Sequence, residues 1–178
     1  MRIALTGGIA CGKSLAARFL RENGVETIDA DDIVHELIPD PSERRRIAAE
    51  VFTDGEKRRA LEARIHPIVR GRIDGFLSDA DGQLRIAIIP LLFETGWEKD
   101  YDLVCTVASS EVMQISRMLA TRGYSREEAL ARLNAQLPVA EKARRSDYVI
   151  INDGTEAELA EKVRFFVAWL TERIRQTR

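Results

Sequence analysis

The chain has 178 residues, the length of one ordinary domain, and with 45% hydrophobic and 31% charged residues it can bury a normal core. This composition excludes global disorder, and a formal charge of −2 excludes a strong net pull toward nucleic acid or an anionic membrane. Of its 27 cationic side chains five are Lys and the rest Arg, whose planar fork suits phosphate oxygens, although genomic base composition explains heavy Arg use equally well.

In chain order, Ile3–Leu5 reads as a short buried strand running straight into a glycine loop, with a helix expected from about Lys13 to Glu22. Asn23-Gly24 marks a turn before a second strand at Val25–Ile28. Ile86–Ile89 is continuously apolar, as a strand covered on both faces should be, and Asp102–Ala108 and Asp147–Asn152 supply a fourth and a fifth. Helical patterns lie near Glu56–Ser78, Val112–Thr121, Arg126–Ala135 and Glu156–Arg175. The alternation predicts an α/β protein with a doubly wound, five-stranded parallel sheet in a single domain over residues 1–178. The long polar, helical interval at about residues 32–80 reads as an insertion over the carboxyl ends of the strands, where such sheets bind ligands. Cys11 and Cys105 have no disulfide-like spacing, and neither a signal peptide nor a membrane-length apolar run is visible, so a cytoplasmic setting is expected.

The stretch Gly7-Gly8-Ile9-Ala10-Cys11-Gly12-Lys13-Ser14 satisfies G-x-x-x-x-G-K-[ST], after a strand and at the start of a helix, as a phosphate-binding loop requires. Glycines let consecutive N–H groups curl around an anion, Lys13 reaches the β- and γ-phosphates, and the Ser14 hydroxyl can ligate Mg²⁺. The loop is read as a nucleoside triphosphate site. The chain has no N-K-x-D base-recognition motif of a GTPase and is the size of a small-molecule kinase.

Ile28-Asp29-Ala30-Asp31-Asp32 follows the second strand, so its carboxylates project toward the same end of the sheet. A phosphoryl acceptor hydroxyl needs a carboxylate to orient it and take its proton; Asp31 is the first choice and Asp29 the second. The same residues could instead close the strand or cap the next helix. His35 lies one turn beyond Asp31, facing either the site or solvent.

With these segments in hand, the chain resembles the dephospho-CoA kinase family. "ALTGGI..GKS", "IDAD", "RIHPIV", "IIPLLFE", an arginine-spaced segment ending "RLNAQ", and "SDYVIINDGT" occur in that family's order, from Arg2 to about Phe166. The resemblance implies transfer of the ATP γ-phosphate to the ribose 3′-hydroxyl of dephospho-CoA, with Mg²⁺, on a P-loop kinase fold. It implies that Gly7, Gly8, Ile9, Ala10, Cys11, Gly12, Lys13 and Ser14 hold the triphosphate and that Asp31 is the base. It further implies that Asn152 and Gly154 flank the adenine, and that Arg117 and Arg122 are catalytic residues of a lid at about residues 112–138, from which an arginine closes over the γ-phosphate. Arg132 and Gln136 would follow on the next helix. Arg44 matches an arginine that touches the acceptor, with Arg45 and Arg46 as competitors. His66 and Glu94 fall in the segments that floor the acceptor pocket, and His66-Pro67 is also expected to break a helix.

The family loop usually reads "GGIGSGKST", whereas Ala10, Cys11 and Leu15 occupy its variable places here. Ala10 is costly if that position needs a positive φ, and Cys11 at a helix N-terminus is expected to have a lowered pKa. The stretch from His35 to Arg44 is abbreviated by some tens of residues relative to the family pattern. Two other readings therefore stand beside the kinase: the same fold acting on a nucleoside, nucleotide or sugar acid, and an impaired nucleotide- or CoA-binding protein. ATP and dephospho-CoA are the expected partners, without nucleic acid or membrane; nothing in the sequence sets an oligomeric state.

Overall fold

A computed structural model describes residues 1–79 and 82–177. Its strands are β1 (Ile3–Gly7), β2 (Glu26–Asp29), β3 (Arg85–Ile88), β4 (Leu103–Ala108) and β5 (Tyr148–Ile151), all parallel and ordered β2-β3-β1-β4-β5. The helices are α1 (Lys13–Glu22), α2 (Ala30–Leu37), α3 (Pro41–Thr53), α4 (Gly55–Ser78), α5 (Glu111–Arg122), α6 (Arg126–Asn134), α7 (Val139–Arg144) and α8 (Glu156–Thr177).

The two-residue period of the strands divides the core between the sheet faces. Ile3, Leu5, Ile86, Ile88, Leu103, Cys105 and Val107 pack with Ala16, Ala17 and Leu20 of α1. Leu159, Val163, Phe166 and Leu170 of α8 join them, a spacing of four, three and four that forms one helical stripe. Their neighbours Ala4, Ala87, Ile89 and Val104 face the other way, onto Ile33 of α2 and Val69 and Ile73 of α4. Central β1 pairs with β3 on one side and β4 on the other, which opens a crevice at its carboxyl end. The phosphate loop occupies that end.

The interval between the second and third strands consists of α2, α3 and α4, and α7 is a short helix that the sequence pattern does not signal. The expected helix break at His66-Pro67 does not occur: Pro67 lies inside α4, which is continuous from Gly55 to Ser78. An interior proline forfeits one backbone bond. Here the Asp54 side chain caps α4 through the N–H groups of Glu56 and Lys57, and Val69 and Ile73 anchor the segment beyond the proline. Among the described residues no helix is long and apolar enough to cross a membrane.

Candidate active site

The phosphate loop needs its glycines where backbone meets backbone or side chain. A Cβ on Gly7 would stand 2.3 Å from the Val107 carbonyl oxygen, and one on Gly12, at φ 89°, 2.3 Å from Asn152 Nδ2. Ala10 adopts φ 57°, the single positive-φ non-glycine among the described residues. Left-handed backbone costs an L-residue about 1–2 kcal/mol, so the loop holds Ala10 against its own preference.

Side chains hold the carbonyls of five consecutive loop residues. Lys13 Nζ donates to the Gly7 and Gly8 oxygens at 3.0 and 2.8 Å. Gln114 Nε2 donates to Ile9 O at 2.7 Å, Arg117 Nη1 to Ala10 O at 3.3 Å, and Asn152 Nδ2 to Cys11 O at 2.9 Å. A trans peptide points its N–H opposite its C=O, so the tethers also fix the direction of the loop amides; that of Ile9 donates to Gln136 Oε1 at 3.0 Å and that of Cys11 to Gly8 O at 3.4 Å. The N-cap of α1, Gly12, makes no side-chain cap, leaving the first-turn N–H groups and the positive end of the helix dipole for an anion. Burial lowers the pKa of Lys13 below the usual lysine value, and the nearby Lys142 ammonium adds to this while Asp31 and Asp29 oppose it. The expectation of a depressed Cys11 pKa is overturned. The thiol is fully buried and burial raises its pKa, the pull of Lys13 notwithstanding.

Asn152 and Arg117 are built into the support of this loop. The buried Asn152 accepts at its carbonyl from Ser109 Oγ at 2.7 Å and from Arg117 Nη2 at 2.8 Å, and Arg117 Nη1 also reaches Ser109 Oγ at 3.0 Å. Arg122 is exposed at the last turn of α5, just before Gly123 at φ 64°. Arg132 lies over the Tyr124 ring at 4.4 Å. Gln136 is not on a helix but in the link behind α6, where Oε1 accepts from Ile9 N at 3.0 Å. Gly154 leaves the space occupied by the Glu158 carboxylate, which accepts from the Thr155 N–H at 2.7 Å.

On the acceptor side, the question of which aspartate caps the helix has a clear answer. Asp29 is the N-cap of α2, accepting from Asp31 N at 2.8 Å, which leaves the Asp31 carboxylate uncommitted. Burial raises the Asp29 pKa to about 6. Desolvation also raises that of Asp31, opposed by Lys13 and by His35, both close enough to act on it. Asp31 and His66 line one cleft of about 230 Å³ with Val34, Ile65, Pro90 and Trp97. The His66 ring meets Trp97 edge-on at 5.0 Å.

Arg44 and Glu94 do not line that cleft. Arg44 Nη1 donates to Ile38 O at 2.6 Å and Pro39 O at 2.9 Å, closing the link between α2 and α3. Arg46 pairs with Glu50 on the surface of α3. Glu94 Oε1 accepts from Leu137 N at 3.0 Å and pairs at 2.8 Å with the fully buried Lys142, whose Nζ also reaches Pro90 O at 2.9 Å. Another cleft, about 350 Å³ around Arg2, Arg70 and Asp74, contains no loop residue, and its charges are paired as Arg2–Asp74 and Arg70–Asp100.

Sequence reading missed Lys142, and it assigned Gln114 no role. The one sits on a helix without a clear apolar period; the other is 105 residues from the carbonyl it holds. Neither has a local signature.

A family model described as dephospho-CoA kinase matches residues 1–43 and 41–158, in two segments that overlap at Pro41–Glu43. The chain is 40% identical over 177 residues to a dephospho-CoA kinase of Symbiobacterium thermophilum, covering 86% of this chain and 74% of that one. It is 36% identical over 185 residues to a dephospho-CoA kinase of Thermus thermophilus, covering 95% and 91%. Among solved structures it is similar to TT1252 from Thermus thermophilus, with a TM-score of 0.82, 36% identity and 97% of each chain covered. The shikimate kinase of Bacteroides thetaiotaomicron shares the fold at a TM-score of 0.62 and 15% identity, over 96% and 98% of the two chains. With the phosphate loop, the parallel sheet and these relatives in agreement, the chain belongs to the dephospho-CoA kinase family.

Proposed function

We propose that this enzyme transfers the γ-phosphate of ATP to the 3′-hydroxyl of the ribose of dephospho-CoA, giving coenzyme A and ADP. One observation carries the reading beyond family membership: with Asp29 acting as the helix cap, Asp31 presents an uncommitted carboxylate on the lining of a cleft and within the field of Lys13. In this mechanism the loop amides and Lys13 hold the triphosphate, and Lys13 takes up charge that develops on the transferring group. Asp31 orients the ribose hydroxyl and accepts its proton; desolvation holds its pKa above the usual aspartate value. His66 lies on the cleft wall that would meet the acceptor, and His35 lies close enough to the base to act on its carboxylate.

Residues 32–80 act in this proposal as the acceptor-side insertion of a single domain, and residues 112–138 as the lid that carries Arg122 toward the phosphates. Arg117 serves the nucleotide through the loop it already holds. Among the described residues no cluster of three or more His, Cys, Asp or Glu could hold a metal, while the Ser14 hydroxyl is exposed beside the loop. A lone hard oxygen donor fits a Mg²⁺ held mainly by triphosphate oxygens and water, and the ion would supply charge neutralisation between the β- and γ-phosphates. A cytoplasmic setting is supported by the two free, buried thiols, Cys11 and Cys105.

The test is a coupled ADP-release assay with MgATP and dephospho-CoA, beside adenosine, AMP, CMP and shikimate as acceptors. Turnover confined to dephospho-CoA, with coenzyme A identified by mass, is the expected result. Faster turnover with another acceptor would overturn the substrate assignment, and ATP binding without any turnover would favour a binding protein.

A further inference from the structure

Ile9 forms the tip of the phosphate loop, and both of its backbone polar groups are held by glutamine side chains. Its N–H donates to Gln136 Oε1 at 3.0 Å and its carbonyl accepts from Gln114 Nε2 at 2.7 Å. Gln114 is 3% exposed, a buried amide on a helix whose other buried residues include Ile115 and Met118. Gly8 makes room for it: a Cβ there would come within 2.7 Å of Gln114 Nε2.

The next residue is Ala10, at φ 57°. The two dihedrals of a residue relate the planes of the peptides before and after it. Gln114 tethers the carbonyl of the peptide before Ala10, and Arg117 tethers the carbonyl of the peptide after it. With both planes pinned from α5, Ala10 keeps a conformation that glycine would adopt without cost. Gln136 adds a second tether to the same tip from the link behind α6.

We propose that Gln114 and Gln136 are positioning residues for nucleotide binding, and that Gln114 holds Ala10 in the left-handed conformation that turns the loop amides toward the triphosphate. The proposal rests on the reading of this loop as the ATP site but not on the identity of the acceptor. Each glutamine acts through the backbone of Ile9.

The experiment is calorimetric titration of MgATP, without any acceptor, into the wild type, Gln114→Met, Gln136→Met, Ala10→Gly and the Ala10→Gly/Gln114→Met pair, with thermal unfolding of each. Loss of a buried hydrogen bond plus release of the strained backbone predicts about tenfold weaker binding for Gln114→Met and about threefold for Gln136→Met. In the Ala10→Gly background the Gln114→Met loss shrinks to about threefold, because no strain remains to be released. A merely structural glutamine would lower the unfolding temperature and leave the affinity of the folded protein unchanged, which would overturn the proposal. Equal losses in the two backgrounds would overturn the link to Ala10. Should Gln114→Met fail to fold, the half-buried Gln136→Met decides alone, and unchanged affinity there counts against the proposal. A wild type that binds MgATP beside unaltered variants removes this inference only; a wild type that binds none removes the proposed function as well.

Discussion

The two sides of the cleft are constructed differently. On the nucleotide side, five successive carbonyls of a short loop are fixed by side chains of α1, α5 and the end of β5. The ten-residue α1 buries Ala16, Ala17, Phe19 and Leu20. On the acceptor side, the 24-residue α4 buries Val69 and Ile73, and α3 contributes none of the described buried residues. Exposed pairs such as Arg46–Glu50 and Arg58–Glu62 decorate that side, each contributing about 0–1 kcal/mol. A triphosphate is gripped by amides that must not reorganise, whereas the insertion needs only enough packing to stand beside the cleft. The difference fits the comparison with relatives: the family match is continuous through the loop and breaks where α3 begins.

Four substitutions would break or sharpen this contrast. The largest effect is expected for Lys13→Ala, which removes a charge from the phosphates and the tether on Gly7 and Gly8; kcat/KM for ATP should fall about 10³-fold in the ADP-release assay. Asp31→Asn should lower kcat about 10²- to 10³-fold with MgATP affinity held within about twofold, since the residue serves the acceptor rather than the nucleotide. An unchanged kcat would remove Asp31 as the base.

Lys142→Met tests the strut beneath the site. It leaves Glu94, whose side chain is 21% exposed, without its partner, and unfolding in urea should show a loss of about 2–4 kcal/mol. Pairing it with Glu94→Gln should restore about half of that, because no uncompensated charge remains. The smallest effect is expected for Arg44→Ala. Its guanidinium closes the α2–α3 link, so stability should drop by about 1 kcal/mol and the acceptor KM should move less than about threefold. A large rise in KM would instead place Arg44 on the acceptor, as the family resemblance implies.

Asp29 gives a pH-dependent version of the same contrast. Its pKa rises from 3.8 to about 6 on folding, so between those values the native state holds a proton that the unfolded chain has released. Stability from this group is present below about pH 4, declines as pH rises to about 6 and stays level above it. Asp29→Asn keeps an N-cap oxygen and removes the buried charge. Urea midpoints should therefore favour the variant over the wild type at about pH 7.5 and differ little at about pH 4.

Much of this protein is legible in the order of its residues. The G-x-x-x-x-G-K-[ST] spacing, the strand before it and the helix after it follow from constraints within a few residues, and so does the strand–helix alternation that yields the parallel sheet. Asp31 is a candidate on the same local grounds, but that Asp29 takes the cap and leaves Asp31 uncommitted is a matter of side-chain direction that spacing leaves open. The burial of Cys11, which reverses the expected direction of its pKa, depends on the helices stacked over it. The tethers on the phosphate loop reach across 105, 127 and 141 residues, from Gln114, Gln136 and Asn152. Local sequence specifies backbone geometry, because sterics act between neighbours; tertiary structure alone decides which distant amides arrive to hold that geometry in place.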